Sequence, residues 1–186
     1  MHAALKAKLE GIAATAMQKP PGAPRVTAFL TALGPIHRDW HMVPPSARKY
    51  GFLLFHAELT SLLASVGGPA YFGGIPPYTS ADFRRFGRPF NVTYKVPKGD
   101  IAALETYSVD IEDWHNRAHM AIEMALHLNM MDPLTNVKLR EFWRLHAFIE
   151  ARFASRLRTF RRVAGQTTAH TIAEILTVDH AAVPSI

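Results

Sequence analysis

Four helical stretches of this chain have to meet around one region, because its histidines repeat one pattern twice. His37 and His41 are four residues apart, and His56 follows fifteen later; His115 and His119 are again four apart, and His146 follows twenty-seven later. On a helix, residues i and i+4 share a face with Cβ atoms about 6 Å apart, so each pair can aim two imidazoles at one ion. A third imidazole from the next helix completes three nitrogen ligands and leaves a position open, as reactive metal sites require. Two such half-sites facing each other call for four packed helices, which is how bundle cores build dinuclear centres. The expected fold is therefore mostly α: a four-helix bundle core with flanking helices and a long irregular central segment.

The rest of the chain accommodates that core as a single domain over residues 1–186. Residues 2–17, within an N-terminal stretch at 1–18, fit an amphipathic helix ended by the linker KPPGAP at 19–24. RVTAFLTALG reads as a helix that stops at Gly34-Pro35, with a further helical turn carrying PIHRDWHM. A long apolar helix follows Pro44-Pro45, with Ser46 as its N-cap and Gly67 near its end. Residues 67–100 are rich in Gly, Pro and aromatics and read as an irregular segment with a short strand at NVTYKV. Helices resume at about 109–130, 136–162 and 168–178, before a tail at 179–186.

Composition narrows the classes. Hydrophobic content of 48% with 19% charged residues is globular rather than disordered. No apolar run approaches the 18 or so residues of a membrane span, and the N-terminus lacks the apolar core of a secretory signal, so a cytoplasmic location is expected. Zero cysteines exclude disulfides and thiolate ligation. The net charge of +6 owes much to Arg152, Arg156, Arg158, Arg161 and Arg162. A solvated helix face accounts for them, and no nucleic-acid motif accompanies them.

All six candidate ligands are imidazoles, with no carboxylate among them. Di-iron bundles bring glutamates, and the HExxH of zinc proteases is absent. Imidazole-only ligation suits copper and zinc, and two three-histidine sites across a bundle favour a copper pair that binds dioxygen.

The residues also resemble a family. IHRDWHMVPP with RKYGFLLFHAELTSL is similar to the first copper half-site of arthropod hemocyanins and phenoloxidases. WHNRAHMAI with MMDPLTNVKLREFWRLHAFIEARF is similar to the second half-site of hemocyanins and tyrosinases. The resemblance to these type 3 dicopper proteins implies two copper ions, one held by His37, His41 and His56 and the other by His115, His119 and His146. It implies dioxygen bound as a bridging peroxide that oxidises a phenolic, catecholic or aminophenolic small molecule, with a copper-delivery partner as a further expectation. In that family the residue at Asn116 helps to position a water that deprotonates a monophenol, and Glu105 is the nearest acid by spacing. Phe142 matches an aromatic beside the third ligand, Glu150 an acidic buttress and Met120 a residue tuning substrate access.

Departures from the family are visible. Ala147 stands where tyrosinases often carry a further His, and the missing cysteines preclude a thioether crosslink. The alternatives are a reversible oxygen carrier of hemocyanin type, a hemerythrin-like di-iron protein using His146 and Glu150, or a basic interaction module. His127, eight residues after His119, is rotated by about 80° from it and is expected to pair with Glu123 on the surface. Trp40 and Trp114 are expected to pack, and Met120, Met124, Met130 and Met131 to fill the core. Tyr71, Phe72 and Tyr78 are positioned in the sequence either to cover the site or to pack their own loop.

Overall fold

The computed structural model describes residues 3–43, 51–93 and 101–163, with side chains excepted at 3, 51, 54, 101–105 and 154–163. The protein is mostly helical, and no strand occurs among the described residues. The expected N-cap Ser46, the helix at 168–178 and the tail lie outside the described residues, as do the side chains of Glu105, Arg156, Arg158, Arg161 and Arg162. Of NVTYKV, residues 91–93 are not strand and the remainder lies outside the described residues. No helix among them is long and apolar enough to cross a membrane.

Helix α1 (Ala3–Met17) buries Leu9, Ala13 and Ala16, a stripe at helical spacing that packs on the next helices. It ends before Pro20-Pro21, and the Arg25 guanidinium closes the corner by donating to the Lys19 carbonyl at 3.2 and 3.3 Å. Helix α2 (Ala23–His41) starts with Pro24 in its first turn, where a missing N–H costs nothing. It runs unbroken through Gly34-Pro35, where the sequence predicted a stop. Pro35 forfeits one helical hydrogen bond. The buried row Val26, Phe29, Leu30, Leu33, Ile36, His37 and Trp40 continues across it, and that packing outweighs the lost bond.

Helix α3 (Gly51–Ser65) buries Phe52, Phe55, His56, Leu59 and Leu63. The central segment holds two short helices, α4 (Gly68–Tyr71) and α5 (Ser80–Arg85), rather than being irregular throughout. Thr79 and Asp82 form a reciprocal capping box at the start of α5, a signal present in the sequence as T-x-x-D. The segment is pinned along the last helix: Arg140 donates to the Gly74 carbonyl at 2.8 Å, Arg144 to the Pro76 carbonyl at 3.0 Å, and the Tyr78 N–H to the Arg144 carbonyl at 3.2 Å.

Helix α6 (Ile101–Leu126) begins earlier and ends sooner than the sequence suggested, stopping at His127 in a left-handed conformation (φ 55°). A loop built on Asp132, which accepts from the Leu134 N–H and the Thr135 hydroxyl, leads through a 3₁₀ turn (Asn136–Lys138) into α7 (Arg140–Val163). This loop lies directly on α2. A Cβ on Gly34 would stand 2.3 Å from the Leu134 carbonyl oxygen, so only glycine admits the approach. The core is aromatic around α6 and α7: Trp114 sits among Phe83, Phe90 and Phe148 and donates to the Pro89 carbonyl at 3.2 Å.

Candidate metal centre

Helices α2, α3, α6 and α7 bring His37, His41, His56, His115, His119 and His146 into one cluster. Five of these imidazoles are at most 5% exposed, and His41 is half-buried at the edge. Donor nitrogens of His37, His41 and His56 lie within 4.8 Å of one another, as do those of His56, His115 and His146. Each group could hold a metal ion. The expected second set of His115, His119 and His146 is present as a chain of contacts, with His119 Nε2 2.8 Å from His115 Nε2 and His115 Nε2 3.1 Å from His146 Nε2. His56 is shared between the halves: its ring stacks on that of His146 at 4.2 Å and 15°.

Backbone carbonyls orient the rings. The Nδ1–H of His37 donates to the Pro133 carbonyl at 2.7 Å, that of His119 to Met130 at 2.7 Å, that of His56 to Phe52 at 2.7 Å and that of His146 to Phe142 at 2.9 Å. A carbonyl can only accept, so all four rings carry their proton on Nδ1 and, when neutral, a bare lone pair on Nε2. This is the arrangement that metal-ligating histidines adopt. His41 Nε2 lies 3.0 Å from the bare Nε2 of His37 and can supply a proton to it. Neutral His115 has one proton, which goes either from Nδ1 to Asn116 or from Nε2 to one of His119 and His146, so at least one of those two keeps an unpaired acceptor. His56 Nε2 has no hydrogen-bond partner at all. A cation in either donor group would take up the lone pairs of its members, so the residues fit a metal.

Burial keeps the rings neutral. It lowers the pKa of His37 to about 3 and of His119 to about 4, against carbonyl bonds that work the other way. It holds His56, His115 and His146 well below the usual imidazole range, helped by repulsion from neighbouring imidazoles. Phe142 fills the space between the halves, its ring 5.0 Å from His37, 5.9 Å from His119 and 4.1 Å from His146.

The other expected site residues divide. Asn116 is exposed beside the cluster, and its Oδ1, 3.2 Å from His115 Nδ1, is one of three acceptors facing the single proton of that ring. It lines a cavity of about 130 Å³ together with His41, His115, His119, Met130 and Asn136. Glu150 does not reach an imidazole. The Thr60 hydroxyl, 3.1 Å from the His56 carbonyl, donates to Glu150 Oε1 at 2.6 Å, and burial raises the Glu150 carboxyl to about 7. Met120 is half exposed and lines a separate groove with Arg117 and Met124 rather than the cavity. Met124 and Met131 are exposed as well, so of the four methionines only Met130 is core. His127 is exposed and Glu123 accepts instead from the Met131 N–H at 2.8 Å. Tyr71, Phe72 and Tyr78 are absent from the cavity lining; Tyr78 packs under the Arg144 guanidinium.

Two residues escape a reading based on histidine spacing alone. Asn136 lines the cavity and donates to the same Met130 carbonyl that orients His119. Glu112 is buried one turn before His115, in a Glu-x-x-His pair visible as EDWH, although it belongs to neither group of metal donors. Fold and site together define a helical protein with a buried histidine cluster able to hold metal. No family model matches the chain, and neither curated proteins nor solved structures provide a match.

Proposed function

We propose that the chain is a dicopper oxidase that uses dioxygen to oxidise a small phenolic, catecholic or aminophenolic molecule. The observation that carries this reading is the convergence of six imidazoles, four of them held by carbonyl bonds with a bare Nε2, with no carboxylate in either donor group among the described residues. Imidazole-only donors favour copper over iron through the affinity order of divalent metals. A bound cuprous pair supplies electrons to dioxygen. The overall balance is that two catechols give up two electrons and two protons each, and one dioxygen takes all four of both to become two waters.

The protein's own part is positioning. The carbonyl bonds fix ring orientation, burial keeps the nitrogens unprotonated at neutral pH, and Phe142 excludes water from the space between the halves. The cavity beside His41 and His119 gives an organic molecule a place next to the cluster, which favours an enzyme over an oxygen carrier. Asn116 faces that cavity beside His115, and can accept a hydrogen bond from a water or a phenol there.

Copper reconstitution tests the proposal. Two copper ions per chain are expected, with an intense near-ultraviolet band on adding hydrogen peroxide to the oxidised protein. A chain that binds copper without that band overturns the dicopper reading. Reversible oxygen uptake without turnover of any phenol, catechol or aminophenol replaces the enzyme by a carrier. Glu112, three residues before His115, favours a di-iron centre as the second reading; preferential uptake of iron from a medium holding both metals would establish it.

A further inference from the structure

A groove that shares no residue with the cavity beside the histidines runs between α6 and the turn that ends α5. Its floor is a stripe of α6 at helical spacing, with Met120 and Met124 four apart and Ala121 and Ala125 four apart. Met120 is 50% and Met124 72% exposed. A single exposed methionine needs no explanation. A pair lining one groove of about 460 Å³ is the kind of open, adaptable apolar surface that partners use. The alanines leave two low points along the stripe, where side chains of a packed helix can seat. The rim is cationic: Arg117 comes from α6, and Arg85 and Arg88 come from the end of α5 and its turn. No Asp or Glu lines the groove. Arg85 also pairs with Asp82 and Arg117 with Asp113, but both guanidiniums are more than half exposed and keep donors to spare. No ion pair engages Arg88 among the described residues.

We propose that this groove docks an acidic amphipathic helix of a partner protein, with the apolar face of that helix along Met120 and Met124 and its flanking carboxylates on Arg85, Arg88 and Arg117. The floor from Arg117 to Ala125 is about 12 Å long, or roughly two turns of such a helix, and a helix laid in a groove binds through anchors at that spacing. Guanidinium forks donate paired hydrogen bonds to carboxylates, which gives the rim its selectivity for acids. A second copy of the chain does not match this surface, because it carries a net charge of +6 and brings the same cationic rim. The docking face is independent of the metal centre and of its chemistry.

The test uses the full chain and a fluorescein-labelled synthetic helix whose leucines share one face and whose other positions are glutamate and alanine, with polarisation as the readout. The chain is expected to bind it, and a chain that does not bind overturns the inference. Met124→Glu, at an exposed position where substitution leaves the fold intact, is expected to weaken binding by about 10-fold or more, the effect of losing an interface anchor. Met17→Glu makes the same charge change on α1, outside the groove, and is expected to cost less than about 2-fold. Equal losses in the two variants would reduce the attraction to net charge and overturn the inference. Equal binding of a peptide of the same composition with its leucines scattered around the helix would do the same. Self-association of the chain that Met124→Glu abolishes would give the groove to a second copy. Laurate held in the groove by a chain that ignores the peptide would give it to a small anionic amphiphile. Either result overturns the helix.

Discussion

His119 Nε2 stands 2.8 Å from His115 Nε2, a separation that two lone pairs do not tolerate without a proton or a cation between them. His119 cannot supply the proton, because its Nδ1–H is committed to the Met130 carbonyl. His115 has a single proton to offer to three neighbours, Asn116, His119 and His146, and His56 Nε2 has no partner. The metal-free protein therefore holds several imidazole lone pairs in a dry, crowded space. Binding a cation there relieves that cost, so metal affinity and folding stability are coupled.

Copper or zinc should accordingly raise the melting temperature. At a free metal concentration a thousand times the Kd the gain is about 4 kcal/mol, on the order of 10 °C for a domain of this size. Chelator removal should reverse it. The two halves should lose metal separately: His41→Ala and His146→Ala each remove one member of one donor group, and each is expected to lose one ion per chain. Metal analysis after gel filtration reads this directly. A variant that keeps its full metal content would place that imidazole outside the centre.

Acid should unfold the metal-free protein early. The folded-state pKa values of His37 and His119 are lowered to about 3 and about 4, and those of His56, His115 and His146 lie well below 6.5. Between these values and about 6.5 the unfolded chain binds more protons than the folded one, so stability rises with pH across that window and falls as it is acidified. Denaturant midpoints measured from pH 7.5 down to pH 4.5 should decline steadily. A flat profile would mean that the imidazoles are solvated in the folded protein. Loaded metal should displace the decline to lower pH.

Much of this centre is written locally in the sequence. The i, i+4 pairs fix which imidazoles share a helix face, and the amphipathic runs around them dictate helices, so the mostly helical fold and the meeting of six histidines follow from short-range periodicity. The carbonyls that orient His56 and His146 are local too, one turn back on the same helix at Phe52 and Phe142. The one that orients His37 is not: Pro133 is far in sequence and close only because Gly34 lets the 128–139 loop settle on α2. The continuity of α2 through Pro35 depends on tertiary packing that no local rule reports. The outward position of Met120 follows from its place on the helix opposite the buried row of Trp114, His115, Ala118, His119 and Ile122, which a family match by sequence offset did not consult.

Gly34→Ala tests that loop. Alanine raises helix propensity by about 1 kcal/mol, but its Cβ would stand 2.3 Å from a backbone oxygen that has no flexible end to move. The clash should win, giving a net destabilisation of about 1–3 kcal/mol. Displacing the loop also withdraws the Pro133 carbonyl from His37, so the variant should hold metal more weakly even where it remains folded. Unchanged stability and unchanged metal affinity together would show that the loop does not press on α2.

Phe142 separates packing from ligation. It donates no atom to a metal, yet its ring touches imidazoles from both halves and its carbonyl orients His146. Phe142→Ala should cost about 3–5 kcal/mol through the cavity it leaves, enough to unfold the metal-free chain and make any metal measurement ambiguous. Phe142→Leu keeps most of the volume and the backbone carbonyl, so the fold and the number of bound ions should survive. The imidazoles then lose the flat wall that holds them against rotation. A chelator should strip metal from Phe142→Leu on the order of 10-fold faster than from the wild-type protein, the scale at which supporting groups influence metal sites. Stopped-flow transfer of zinc to a coloured chelator measures the rate, and identical rates would assign Phe142 to the core alone.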